Sequence, residues 1–478
     1  MLASKGCFFM RFRSIYTNSA GILVSRIFGF VRDLLTASVL GANIYSDIFF
    51  VAFKLPNLFR RIFAEGAFVQ SFLPTFIASG HKSLFAAAVL IRFFLFLMAA
   101  SVLVTLFSPQ ITRLIALGFS EETVAAAAPL VAINFYYLDF VFLVTFLSAL
   151  LQYKEHFATT AFSTALLNIS MITALVLFRH EDPETIVYAL SFSVLIGGAL
   201  QLALHLWMAG RKGFCRMLAG GFVYLRKKKS LAEKEVKRFG RTFFPSVLGN
   251  STAQVSSFID TWLASFLVSG SISYLFYANR LFQLPLALFA TAASIALFPT
   301  VSKLLKKGLV EDAKAESKRV FWVLVALLGG AAAIGVTLST QIVTLLFERG
   351  AFDAGDTQNT SAVLVMYLAG LLPFGLAKLF SLWLYAMHRQ ADAAKIAAKS
   401  LGFNILFSLA LIVPLQAPGL ALASSLSGWI LLYLTLKAVG REIFLDIMRS
   451  KYAPLSLFFI AFCWLCAWGI KVIADAYL

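Results

Sequence analysis

Eight charged side chains stand in, or just between, the first two long apolar runs of this chain: Arg26, Arg32, Asp33, Asp47, Lys54, Arg60, Arg61 and Glu65. Insertion-based scales charge about 2.5–3.5 kcal/mol for each Arg, Lys or Asp near a bilayer centre, so several of them facing lipid would defeat insertion. They are expected to face water or one another. Asp47, Lys54 and Arg61 recur at intervals of seven and share a helix face, and Arg26 and Asp33 are also seven apart. Glu65 lies four residues after Arg61, within reach of an ion pair. Pro56 has no N–H to donate and should kink the second run beside this stripe. Asp260, Arg280 (followed by Pro285) and Lys378 (after Pro373) continue the pattern.

The cations Arg26, Arg32, Lys54, Arg60, Arg61, Arg280 and Lys378 outnumber Asp33, Asp47, Glu65 and Asp260. A cation excess inside a cavity is a site for an anion, and the guanidinium fork suits phosphate because it bonds two oxygens and keeps its charge. The competing reading is that these charges form internal salt bridges that only hold helices together; it applies most directly to Asp33 and Asp260, which recur between the two halves. Arg60, Arg61 and Glu65 also fit a place at the membrane edge, where long side chains snorkel. Arg92 and Asp139 are weaker candidates, and His205 and His388, near helix ends, read as interfacial.

The elements that must hold these groups are membrane helices. Of the 478 residues, 60% are hydrophobic and 13% charged, with a mean hydropathy of +0.85; a soluble chain is about a quarter charged. Thirteen stretches are long enough to span, near 16–40, 47–78, 83–107, 124–151, 157–178, 186–209, 242–268, 272–301, 318–346, 359–387, 391–414, 417–438 and 453–476. They lack the period-two alternation of barrel strands. The expected class is an all-α polytopic membrane protein.

The net charge of +18 is distributed as a membrane protein distributes it. Basic clusters fall in every second loop, around Arg226–Arg238, Lys303–Arg319 and Lys437–Lys451, while the opposite loops offer Arg113, Arg179 and Arg349. That asymmetry predicts a cytoplasmic N-terminus and, with thirteen spans, an external C-terminus. It argues against nucleic acid and for contact with anionic lipid headgroups. The first apolar run contains Arg26, Arg32 and Asp33 and lacks a cleavage site, so it does not read as a signal peptide. Cys463 and Cys466 form a C-x-x-C inside an apolar helix and read as two small hydrophobes rather than a redox pair.

The halves repeat. Asp33–Leu40 matches Asp260–Leu267 at an offset of 227, Phe53-Lys-Leu-Pro56 matches Phe282-Gln-Leu-Pro285 at 229, and Phe72-Leu-Pro-Thr75 matches Leu297-Phe-Pro-Thr300 at 225. Lys154 matches Arg389, and Asn168-Ile169 matches Asn404-Ile405, at 235 and 236. Six helices separate equivalent positions, an even number, so the repeats run parallel about an axis along the membrane normal, with a site expected at their interface. The expected division is an N-lobe (1–215, helices 1–6), a basic cytoplasmic loop (216–241), a C-lobe (242–440, helices 7–12) and a peripheral helix 13 (441–478): two six-helix lobes in pseudo-two-fold repeat around a central cavity, plus a C-terminal helix.

No phosphate-binding G-x-x-x-x-G-K-[ST] loop, H-E-x-x-H pair, metal-ligand cluster or G-x-S-x-G elbow is present. The expectation is a transporter rather than an enzyme, with no catalytic residues, no metal and no cofactor, drawing on an ion gradient, the membrane potential or the substrate's own gradient.

Ser25-Arg-Ile-Phe-Gly-Phe-Val-Arg-Asp33 resembles the first-helix signature of the MurJ (MviN) lipid II flippases, and the stretch from Asp47 to Pro74 (DIFFVAFKLPNLFRRIFAEGAFVQSFLP) resembles that family more closely still. Thinner similarity continues through Leu166-Leu-Asn-Ile-Ser170, Tyr277-Ala-Asn-Arg-Leu281 and Pro285. The family belongs with the multidrug (MATE-type) and polysaccharide exporters. The resemblance implies a multi-pass protein of the bacterial inner membrane that moves lipid II (undecaprenyl-diphosphate-MurNAc-pentapeptide-GlcNAc) to the outer leaflet for cell-wall synthesis, by alternating access. It implies substrate contacts at Arg26, Arg32, Asp47, Arg60, Arg61 and Arg280, with Asp33, Lys54, Glu65, Asp260, Asn279 and Lys378 as secondary cavity candidates. Family members often have Asp before the helix-8 arginine and some have Glu three residues after it; this chain has Asn279 and Gln283. It also shows one extra C-terminal helix where the family commonly has two. Export of another lipid-linked oligosaccharide, or of small cations by a MATE-like antiporter, stays open, as does a scaffold role.

Overall fold

The computed structural model describes residues 2–61, 67–448, 450 and 452–477, with side chains left undescribed at 2–19, 226, 229, 248–257, 441 and 475–477. The described residues are helical with no strand among them. The chain divides into two compact units, residues 1–40 with 44–258, and residues 41–43 with 259–478.

The first unit holds α1 (Leu2–Leu40), α2 (Ile44–Phe59), α3 (Val69–Ala78), α4 (Lys82–Leu106), α5 (Ser108–Ile115), α6 (Glu121–Phe135), α7 (Tyr137–Tyr153), α8 (Ala158–Leu177), α9 (Pro183–Arg211), α10 (Phe214–Lys227) and most of α11 (Lys229–Ala264). Helix starts follow from sequence: Ser120 accepts the Thr123 N–H ahead of Glu121 and Glu122, and Asp182 accepts the Thr185 N–H with Pro183 in the first turn. The Asp182 carboxyl is held below the usual carboxylate range, first by that N–H and then by the Thr185 hydroxyl.

Helix packing in a bilayer depends on close fit rather than on expelling water, and here phenylalanine supplies the fit. Phe72 of α3 stacks on Phe76 and Phe85 at 5.5 and 5.3 Å and meets Phe146 edge-on. Phe68, Phe93, Phe142, Phe239 and Phe243 extend the cluster from α4 and α7 into α11. The basic segment 216–241, expected as a loop, is therefore helical: Phe214, Leu218, Phe239 and Phe243 are buried while Lys227, Lys228, Lys234 and Lys237 stay exposed, which is the amphipathic pattern of a helix lying on a packed face.

The second unit adds α12 (Ser271–Pro285), a π-helical segment (Leu286–Thr291), α13 (Ala292–Lys306), α14 (Val310–Thr337), α15 (Ser339–Phe347), α16 (Ala354–Leu368), α17 (Leu371–Ala386), α18 (Gln390–Val439), α19 (Arg441–Met448) and α20 (Ala453–Tyr477). Residue Gln416, at φ 51° between Pro414 and Pro418, breaks α18 in two, where the sequence places the boundary between two spans. Helix α20 packs on α14: Ser456 donates to the Trp322 carbonyl at 3.0 Å, and Cys463 lies against Gly330.

Among the described residues nine helical stretches have the length and hydropathy to cross a membrane. The remaining expected spans fall on α1, on α2 with α3, on α11 and on the second half of α18.

Candidate functional site

In the first unit Arg32 is already engaged. Its Nε and Nη2 donate to Asp33 Oδ1 at 3.1 and 2.6 Å, and its Nη1 donates to Asn168 Oδ1 at 3.0 Å. Asn168 in turn donates to the Ser25 carbonyl, and Ser25 Oγ to that of Ala161, so one polar chain runs between α1 and α8. The arginine and its carboxylate are 12% and 5% exposed. Arg32 is therefore not the lone cation that composition suggests; it has the internal salt-bridge character of the competing reading. Arg26, two turns earlier, is exposed and forms no ion pair among the described residues.

Asp47, in the first turn of α2, is 2% exposed; Lys54, two turns on, is half-buried, and both are engaged in polar or electrostatic contacts. The shared face stops there. Helix α2 ends at Phe59, and residues 60–61 and 67–68 are π-helical, so the interval of seven from Lys54 to Arg61 no longer returns to one face. Pro56 lies inside α2 just ahead of this wide turn. Arg60 donates to Asn57 Oδ1 at 2.9 and 3.3 Å, and Arg61 is half-buried and engaged. Glu65 lies outside the described residues, and with it the expected Arg61–Glu65 pair.

Two lesser candidates turn out to be internal. Asp139 is buried and accepts from Ser101 Oγ at 2.7 Å, tying α7 to α4. His205 is fully buried in α9, with its Nδ1 at 2.8 Å from the Gln201 carbonyl oxygen.

In the second unit Asp260 takes the place that Asp33 has in the first. Ser424 Oγ reaches its Oδ2 at 3.5 Å, and Asn404 Nδ2 donates to the same serine at 3.2 Å. Each repeat thus links its aspartate to the matching asparagine, through Arg32 in one and Ser424 in the other; the position matching Arg32 is Ile259. A second equivalence sits at the helix ends: Lys154 donates to the Lys212 carbonyl at the end of α9, and its match Arg389 donates to the Ala438 carbonyl at the end of α18. These bonds satisfy last-turn carbonyls that the helix leaves open.

Asn279 and Gln283, the two neutral departures, hydrogen-bond to each other one turn apart, and Asn279 meets the buried Tyr367 hydroxyl. Arg280 stands between them with its guanidinium over the Phe276 ring at 4.7 Å. A π-face supports the guanidinium plane, an interaction worth about 0.5–2 kcal/mol. Lys378 donates to Thr291 Oγ1 at 2.9 Å, and Thr291 Oγ1 also reaches the Leu286 carbonyl, so this lysine secures the π-helical turn that follows Pro285. Both repeats therefore place a wide turn after the equivalent proline.

Sequence reasoning missed Asp356. Its carboxylate accepts the Ala42 N–H and the Tyr274 hydroxyl, each at 3.1 Å, and so anchors the connector 41–43. Tyr277 OH adds a bond to the Gly41 carbonyl. Gly41, at φ +66°, has room for no side chain, since a Cβ would strike the Ala351 carbonyl oxygen. The signal available in sequence was the cap Asp353-x-x-Asp356, which fixes the start of α16.

Among the described residues no group of His, Cys, Asp and Glu could hold a metal. Of the expected site arginines, Arg26, Arg60 and Arg61 lie in one unit and the ring-supported Arg280 in the other; a guanidinium group is of the type that can hold an anion.

Comparison with known proteins agrees along the chain. A family model described as "Lipid II flippase MurJ" matches residues 36–478. A "Probable lipid II flippase MurJ" of Helicobacter pylori is 49% identical over 433 residues, 89% of this chain and 94% of the relative. The protein of the same description from Haemophilus influenzae is 32% identical over 441 residues, covering 88% and 84%. In fold, the chain is similar to a structure described as "Lipid II flippase MurJ, inward closed conformation" at TM-score 0.77 and 23% identity, covering 96% of this chain and 99% of that one. A MATE-family multidrug transporter in an inward-facing conformation matches at TM-score 0.69 and 11% identity over 92% of this chain and all of its own. By sequence over nearly its whole length, this chain belongs to the lipid II flippase MurJ family.

Proposed function

We propose that this chain carries lipid II, the undecaprenyl-diphosphate-linked peptidoglycan precursor, from the cytoplasmic to the outer leaflet of the bacterial inner membrane. The observation that carries this is the 49% identity spanning 94% of a relative named for that activity. Guanidinium groups at the depth of apolar helices supply the chemistry a diphosphate needs.

In this reading the protein is a transporter and catalyses no bond change. It works by alternating access, with 1–215 and 242–440 as the repeated lobes, 216–241 joining them and 441–478 outside the repeat. Arg60 and Arg61 meet the headgroup first, Arg26 contacts the diphosphate within the first unit and Arg280 within the second, and Asp47 exchanges ion pairs as the protein cycles. Arg32 acts through its own bonds to Asp33 and Asn168, which set its direction. The N-terminus is cytoplasmic by the distribution of basic loops, and an ion gradient or the membrane potential drives export.

Reconstitution tests the reading. Vesicles containing the protein should expose labelled lipid II to an external probe, and should not do so for a different polyprenyl-diphosphate sugar or a cationic dye. Equal movement of the dye would replace lipid II with a drug-export function. Arg280→Ala should abolish movement while leaving the protein inserted; full movement by that variant would remove Arg280 from the substrate path.

A further inference from the structure

We propose that an anionic diacyl glycerophospholipid of the bilayer straddles α14, its phosphate at Arg319 and one acyl chain in each of two grooves flanking that helix. The grooves lie within the second unit and are of nearly equal size, about 490 and 470 Å³. One runs between α13 and α14, walled by Ala293, Ala296 and Thr300; the other runs between α14 and α20, walled by Trp322, Ala326 and Phe459.

Three residues line both grooves: Arg319, Val323 and Leu327. Spaced at intervals of four, they form a single ridge along α14 with a groove on each side. The ridge is about 12 Å long, which fits within one leaflet of a hydrocarbon core about 30 Å thick. Its only charged member is Arg319, and no charged residue follows on α14. Arg319 therefore stands where the apolar span begins, the depth of a lipid phosphate.

Charge complementarity selects the headgroup. Arg319 is exposed and forms no ion pair among the described residues, whereas neighbouring Lys314 and Lys318 are paired with Glu311 and Asp446. Exposed Lys303 and Lys306 end α13, one and two turns beyond Thr300. Glu316 also lines the first groove and is the single opposing charge on its wall. The balance favours an anion. Two apolar channels meeting at one cation call for two chains on one phosphate; a single polyprenyl chain would leave one groove empty.

Binding to the full-length protein, measured by native mass spectrometry, tests this with three probes: dioleoyl phosphatidylglycerol, its one-chain lyso form and undecaprenyl phosphate. The diacyl lipid should bind most tightly, Arg319→Gln should weaken it about fivefold, and Ala296→Phe and Ala326→Phe, each filling one groove, should both weaken it. Unchanged binding in Arg319→Gln overturns the proposal. So does a result in which only Ala326→Phe has an effect and undecaprenyl phosphate is the ligand displaced. Should a phenylalanine variant fail to fold, quenching by phosphatidylglycerol with brominated chains replaces it. The share of quenching lost in Trp322→Phe reports the second groove, and an equal share in Arg319→Gln overturns the proposal as well. Neither readout requires lipid II, so transport can fail without affecting this result.

Discussion

Arg32 and Asn168 join α1 to α8, guanidinium Nη1 to amide Oδ1 at 3.0 Å, while Asp33 takes the other edge of the same guanidinium. A buried pair of this kind costs several kcal/mol when one partner is removed, because the other is left uncompensated; replacing both by apolar groups is often neutral. Arg32→Ala should therefore destabilise by about 3–5 kcal/mol, and Arg32→Met with Asp33→Leu should regain most of that, read as a thermal midpoint in detergent. The double variant separates structure from transport. Restored stability with restored lipid II movement makes Arg32 a purely structural tie, whereas restored stability without movement gives its charge a part in the cycle.

Asp356 should matter through the connector that it holds. Asp356→Ala leaves the Ala42 N–H buried without its acceptor and should cost about 1–3 kcal/mol, with hydrogen exchange rising at residues 41–43. Gly41→Ala should be at least as harmful, since it adds both a steric collision and left-handed strain.

The fold was legible because membrane insertion is governed by run length and charge, both written in the sequence. The thirteen runs follow from that, with a boundary between two of them at the break between Pro414 and Pro418, while the repeat follows from residue matches between the halves. The site was harder. An arginine reads as a cation whether or not it is paired, and nothing in Arg32-Asp33 says that the long side chain turns back to its own neighbour, an arrangement adjacent helix positions do not ordinarily reach. Spacing by seven assumed an unbroken α-helix through Arg61, which the π-helical turn denies. The charge of segment 216–241 predicts a loop, and nothing in the sequence marks Phe239 and Phe243 as the buried residues that make it helical. Asn168 and Asn404 were visible only as repeat markers, since an amide announces no partner.

Phe72→Ala removes a ring that meets Phe68, Phe76, Phe85 and Phe146 and should destabilise the first unit by about 3–5 kcal/mol. Phe72→Leu should recover about half of that. Loss of less than 1 kcal/mol in Phe72→Ala would mean the cluster repacks freely; the thermal midpoint of the purified protein decides.

The connector between α7 and α8 should loosen in mild acid. Burial, then the nearby Lys212 charge, pushes the His156 imidazole below its ordinary value of 6.5. A group whose folded value is depressed contributes stability above its unfolded value and loses it as pH falls through the folded one. Protection from hydrogen exchange across residues 154–160, corrected for the intrinsic pH dependence of amide exchange, should therefore be constant above about pH 6.5 and fall below it. His156→Gln should flatten the profile, and an unchanged profile in that variant would assign the effect elsewhere.

The wide turn at Leu286–Thr291 makes one position of the chain expendable. A π-helical turn holds one more residue than an α-turn would. That surplus is taken up inside the turn, which rotates less per residue, so the helix beyond it keeps its facing. Leu297 and Val301, both buried in α13, point to the core with the extra residue absorbed. Deleting one residue of Leu286–Thr291 would close the stretch as an uninterrupted α-helix and leave those two side chains inward, whereas deleting one between Ala292 and Ala296 would turn them by about 100°.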